Sequence, residues 1–164
     1  MLLASKSRAI AVTTTTVAAG LAAATALAVP PPPSSTFKGK TNQLKAKYHK
    51  VTVVTDANGH VSKLNVGWRA QCKKKGIFWR AQTEVTGGDA GVPQDGDVFH
   101  QAGSYTSHAG TGITGQITIS FKGHFTDNDN VKGTWNAKVI VMKNGKKIDK
   151  CKQNGIKWKA QRVP

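Results

Sequence analysis

Residues 113–125 read Ile-Thr-Gly-Gln-Ile-Thr-Ile-Ser-Phe-Lys-Gly-His-Phe. Every second position is apolar or glycine, and every other one is polar. A period of two places all the apolar side chains on one face of an extended strand, whereas a helix would scatter them around its axis. The same period runs through Leu64, Val66, Trp68, Ala70 and Cys72, through Val131, Trp135, Ala137, Val139 and Val141, and through Ile156, Trp158 and Ala160. Turn dipeptides separate the runs: Asn58-Gly59, Gly87-Gly88, Asn144-Gly145 and Asn154-Gly155, with a further turn over Asp127–Asn130. No helical period follows residue 29. The expectation is an all-β chain of eight or nine short antiparallel strands. Strands with one polar face each favour a two-sheet sandwich, with a flattened or closed barrel as the alternative.

The chain also repeats itself. Cys72-Lys-Lys-Lys-Gly-Ile-Phe-Trp-Arg-Ala-Gln82 and Cys151-Lys-Gln-Asn-Gly-Ile-Lys-Trp-Lys-Ala-Gln161 agree at seven of eleven positions. Upstream, Phe37-Lys38-Gly39 matches Phe121-Lys122-Gly123, and between that landmark and the Cys each copy carries one Asn-Gly turn, Asn58-Gly59 and Asn144-Gly145. Matches in the same order argue for a duplicated strand-hairpin-strand unit, 37–82 and 121–161. Two copies are too few for an open solenoid, so they are expected to pack face to face in one domain, 37–164. The stretch between them, 83–120, is Gly-rich and contains no Lys or Arg.

The first 28 residues read as a secretory signal peptide. Lys6 and Arg8 precede an uncharged run from Ala9, which closes on Ala26-Leu27-Ala28, small residues at −3 and −1 of a cleavage site. Thr13 to Thr16 make the run a poor membrane anchor, and no later segment is apolar enough to span a bilayer. Residues 29–36, rich in Pro and Ser, read as a tether. The expected location is extracellular, with cell-wall association open. In such an oxidising compartment, two Cys at matching places in the two copies are expected to form a Cys72–Cys151 disulfide. With two thiols and no CxxC, no metal or redox centre is expected there.

Charge is the feature that bears on function. Without Lys6 and Arg8, 22 basic residues stand against 8 acidic ones, a formal +14. That exceeds the magnitude of about 2 to 8 that solubility requires. Eleven of the basic residues lie in the first copy, and eleven in the second when Arg162, which directly follows it, is counted. Lys63, Arg69, Lys122, Lys132, Lys138, Lys157 and Lys159 occupy the polar side of the alternation, and Lys73, Lys74 and Lys75 fill a turn. Such a surface attracts polyanions. Lys far outnumbers Arg, which suits point-charge contacts with phosphate or sulfate rather than the reading of DNA bases. The expected partner is therefore a cell-wall polymer, an extracellular nucleic acid bound without sequence preference, or an acidic polysaccharide. A carbohydrate-binding module or a protein-interaction scaffold is the alternative.

Other constellations are weaker. Trp68, Trp79, Trp135 and Trp158 fall on apolar faces and read as core, with a sugar-stacking platform as the second possibility. Asp127 and Asp129 in an Asx-rich turn are weak calcium candidates, since the twelve-residue calcium loop is absent. The five His show no HExxH spacing, and Ser104, Ser107 and His108 share a loop without a nucleophile elbow. No enzyme activity and no cofactor is expected. The Phe37–Thr41 opening, the segment Val61–Cys72 and the closing Cys-x3-Gly-Ile-x-Trp-x-Ala resemble small secreted actinobacterial proteins of uncharacterised function. The likeness spans most of 37–162, and its motifs imply a two-cysteine all-β domain without carrying over any site.

Overall fold

The computed structural model describes residues 30–43, 49–87 and 91–164. The expected leader, 1–28, lies outside the described residues. Nine strands follow in order: β1 (Thr36–Thr41), β2 (Lys50–Thr55), β3 (Val61–Cys72), β4 (Phe78–Thr86), β5 (Gln94–Asp95), β6 (Val98–Gly110), β7 (Ile113–Phe125), β8 (Asn130–Lys143) and β9 (Lys146–Arg162). No helix occurs among the described residues. The fold is all-β, and every pairing is antiparallel.

The two halves that carry the sequence repeat are joined more closely than two facing sheets would be. They form one sheet, β4-β3-β2-β1-β9-β8-β7-β6-β5, whose seam is the β1–β9 pair. The sheet curls so that its two arms share an inner, sandwich-like face. Phe37 of β1 meets Phe125 of β7 with ring centroids 5.4 Å apart. Trp79 of β4 lies over Gly115 of β7, where an added Cβ would come within 2.5 Å of the indole. Across the remaining gap, Thr83 of β4 hydrogen-bonds Tyr105 of β6. The same Thr83 hydroxyl accepts the Trp68 indole N–H at 2.8 Å.

Alternation dictates the core. Leu64, Val66, Trp68 and Ala70 on β3, Ile117, Ile119, Phe121 and Phe125 on β7, and Trp135 and Val139 on β8 are all buried. Each large side chain contributes roughly 1.5–3 kcal/mol relative to remaining exposed. All four Trp are core residues, with none more than 7% exposed. They cannot serve as a sugar platform without leaving the interior.

The Asn-Gly turns of the two copies sit where expected, between β2 and β3 and between β8 and β9. Asn144 (φ 48°) and Gly145 (φ 77°) adopt the left-handed region that a tight hairpin turn requires. Asn154-Gly155 differs from expectation. It does not separate two strands but bulges within β9, opposite Asn136, whose Oδ1 accepts the Gly155 N–H at 2.9 Å. In the first copy the equivalent residues turn the chain, and the Cys72 N–H closes that turn on Ile77 O at 3.0 Å. One motif therefore serves as a hairpin in one copy and a bulge in the other. The 14-residue β8 continues on both sides of the bulge and keeps β9 in register.

The segment between the copies is mostly strand: it supplies β5, β6 and much of β7. Ser104, Ser107 and His108 lie on β6 rather than in a loop. The Pro/Ser segment is also tied down from Pro32 onward. Buried Thr55 donates its hydroxyl to Pro32 O at 2.6 Å and accepts the Ser35 N–H at 3.0 Å, and the Ser34 N–H reaches Asp56 O at 2.7 Å.

Cys72 and Cys151 are direct cross-strand partners on β3 and β9, joined by a disulfide with Cα atoms 3.7 Å apart. It closes the point where β3 outruns β2 and meets β9. At the seam itself, β1 and β9 approach so closely that a Cβ on Gly39 would lie 1.9 Å from Lys159 O. Gly39→Ala is therefore expected to destabilise the domain by roughly 2 kcal/mol or more. Thermal unfolding checks this, and an unchanged midpoint would count against the observed seam.

Candidate polyanion-binding face

The outward side chains of the seam are basic, and the register lines them up. Across five adjacent strands the direct partners are Lys50 (β2), Lys40 (β1), Lys159 (β9), Lys132 (β8) and His124 (β7). Strands lie about 4.8 Å apart, so this row runs about 19 Å across the sheet. The neighbouring row contains Lys157 (β9), Thr134 (β8), Lys122 (β7) and His100 (β6). Between the rows is a groove of about 520 Å³, bordered by Lys122, His124, Lys132 and Lys157. A second groove, of about 580 Å³, continues past Lys40 and Lys159 toward Lys38.

Gly123 and Gly133 lie in the first groove. On the inner side their missing side chains make room for Phe99 and Trp158, which a Cβ would approach within 2.2 Å and 2.3 Å. The cationic face thus rests directly on aromatic core.

Like charges placed directly opposite one another weaken a sheet. A row of four consecutive lysines is therefore a standing cost, one that bound anions would relieve. Among the described residues, no carboxylate lies within ion-pair distance of these lysines; the ion pairs present are Lys63–Glu84, Arg162–Asp129 and His60–Asp56.

The structure sorts the sequence candidates. Lys122, Lys132, Lys157 and Lys159 come together on this face. Lys63 does not join them, since its Nζ lies 3.5 Å from Glu84. Arg69 is engaged with the Phe78 ring, 4.5 Å from its centroid. Lys138 belongs to a second cluster at the disulfide end, paired with Lys152. There the charge of Lys138, followed by burial and the charges of Lys147, Lys73 and Lys152, holds the Lys150 ammonium below its ordinary range. Lys73 and Lys74 reach this cluster through their backbone: their N–H groups donate to the Asp149 carboxylate at 3.2 and 3.3 Å. Lys40, Lys50 and His124 were not among the sequence candidates. Two of them sit on six-residue strands whose register no local pattern reveals.

The calcium candidates have other duties. The Asp127 carboxylate accepts the Asp129 N–H at 2.8 Å and the Asn130 side-chain amide at 2.9 Å, tying the β7–β8 turn. These bonds, the Asp129 N–H foremost, hold its carboxyl below the usual range. Asp129 pairs with Arg162 at 3.0 Å.

Asp149 is lowered as well, first by the Lys150 N–H and further by the Lys74 and Lys73 N–H groups. A carboxyl depressed in the fold contributes stability above its unfolded value, and that contribution is lost as pH falls through the folded value. Amide resonances of Lys73 and Lys74, followed from about pH 5 to about pH 2, should therefore titrate with a midpoint below that of free aspartate. A midpoint at or above the free value would contradict this clasp.

No protein-family model, no curated protein and no solved structure matches this chain.

Proposed function

We propose that this is an exported, non-enzymatic protein that binds linear polyanions on the lysine face of β1, β9, β8 and β7. The observation that carries the reading is the cross-strand row Lys50–Lys40–Lys159–Lys132–His124. A row of like charges that costs stability makes sense as a binding surface, because an anionic polymer laid along it turns repulsion into attraction. The disulfide is compatible with export to an oxidising compartment.

Lysine ammonium groups neutralise phosphate, sulfate or carboxylate as point charges. Among the described residues, the exposed large apolar side chains, Ile77, Phe78 and Ile148, lie on segments other than this face. Among the described residues the row itself offers bases no stacking surface, so recognition rests on charge spacing rather than base identity. The test is binding of inorganic polyphosphate, single-stranded DNA, heparin and a neutral glycan at two salt concentrations. Expected are similar affinities for the polyanions, each falling steeply with salt. Salt-insensitive binding to the neutral glycan would overturn the reading.

A further inference from the structure

At the opposite end of the β8–β9 hairpin, three exposed side chains stand apart from the rest. Among the described residues the exposed large hydrophobics are Ile77 (49%), Ile148 (42%) and Phe78 (37%). Ile77 and Phe78 are neighbours, whereas Ile148 lies 71 positions further on, yet the fold brings the two segments to one tip. The Cys72–Cys151 disulfide joins β3 to β9 there. The Lys73 N–H donates to Lys150 O at 3.0 Å, and the Asp149 carboxylate accepts from both Lys73 and Lys74. Phe78 is the cross-strand partner of Gln71, which is itself the partner of Lys152, so ring and ammonium share one row. Ile148 falls where the β8–β9 register shifts, at a bulge between Lys147 and Asp149.

Lysines surround these apolar groups. Lys73, Lys74 and Lys75 precede Ile77 on one segment, and Lys146, Lys147 and Lys150 flank Ile148 on the other; all but the half-buried Lys150 are exposed. A free polyanion offers nothing to an isoleucine or a phenylalanine. A bilayer of anionic lipid offers both an apolar boundary for the three side chains and negative headgroups for the lysines around them. We infer that this tip docks on the surface of anionic phospholipid membranes, with Ile77, Phe78 and Ile148 entering the headgroup–acyl boundary and the lysines contacting headgroups. The site is separate from the seam face, and its function does not depend on the polyanion reading. A single domain with both sites would hold an anionic polymer against a membrane.

The experiment is co-sedimentation of the disulfide-bonded protein with vesicles of phosphatidylcholine alone or mixed with phosphatidylglycerol. The wild type is compared with the triple variant Ile77→Ser, Phe78→Ser, Ile148→Ser, with the single Ile77→Ser and Ile148→Ser variants, and with the seam variant Lys40→Ala, Lys159→Ala. Expected is binding to the mixed vesicles only, weakened about tenfold or more in the triple variant and by a smaller factor in each single one. The seam variant should bind vesicles nearly as well as wild type, and the triple variant should retain wild-type affinity for polyphosphate. The single variants keep the test valid if loss of the Phe78–Arg69 contact disturbs the triple one. Equal vesicle binding by wild type and apolar variants would overturn the proposal, because charge alone would then explain it. Absence of binding to the mixed vesicles would overturn it as well, leaving the polyphosphate result untouched.

Discussion

Replacing Cys72 and Cys151 together by Ser is expected to lower the stability of the domain by roughly 4 kcal/mol. The disulfide closes a loop with a sequence separation of 79. In the chain-entropy view, a cross-link of that length removes about 4–5 kcal/mol of freedom from the unfolded chain. Two further losses follow in the folded state. Cys151 is fully buried and Cys72 nearly so, which leaves two hydroxyls to find partners in the core. The β3–β9 contact is also reduced to the pairs Gln71–Lys152 and position 72 with position 151. Denaturant unfolding of the oxidised protein, the reduced protein and the double variant measures the effect. Equal midpoints for oxidised and reduced protein would show that the cross-link constrains nothing.

The lysine row leads to the second large effect, and here two observables should move in opposite directions. The variant Lys40→Ala, Lys132→Ala, Lys159→Ala removes three consecutive members of the row. Each lysine that contacts an anionic group contributes about 1 to the slope of log affinity against log salt. The triple variant should therefore lose about 3 from that slope and bind polyphosphate about a hundredfold more weakly at low salt. Its thermal stability should rise, since like charges placed directly opposite one another destabilise a sheet. A loss of binding caused by damage to the fold would instead be accompanied by lower stability. The same substitutions at Lys63 and Lys138, outside the row, should change polyphosphate affinity much less.

The elements were legible because their signals are local. Alternation marked β3, β7, β8 and the C-terminal part of β9, and Asn58-Gly59 and Asn144-Gly145 marked two hairpins. The cysteine pairing was legible in the matching positions of the two Cys within the repeat. What stayed hidden depends on contacts between segments distant in sequence. Cys-x3-Gly-Ile-x-Trp reads alike in both copies. It turns the chain after β3, where β4 returns along the same partner, but only bulges in β9, where β8 holds the strand on both sides. The polar side of each strand could be read, but the neighbour opposite each lysine could not. Lys40 and Lys50 therefore escaped notice, while Lys63 and Arg69, equally well patterned, proved to be engaged with Glu84 and Phe78. The apolar tip was invisible for the same reason: Ile77 and Ile148 are 71 positions apart, and only the β3–β9 closure unites them.

The central claim is that the seam face binds polyanions by charge. The most direct measurement is the affinity of the folded domain for labelled inorganic polyphosphate at about 50 mM and about 200 mM salt, beside the Lys40, Lys132, Lys159 triple variant. With six or more charges engaged, the wild-type affinity should fall by about three orders of magnitude or more between the two conditions, and the variant should show a clearly shallower dependence. Binding that is independent of salt, a variant with an unaltered slope, or no binding at the lower salt would contradict it.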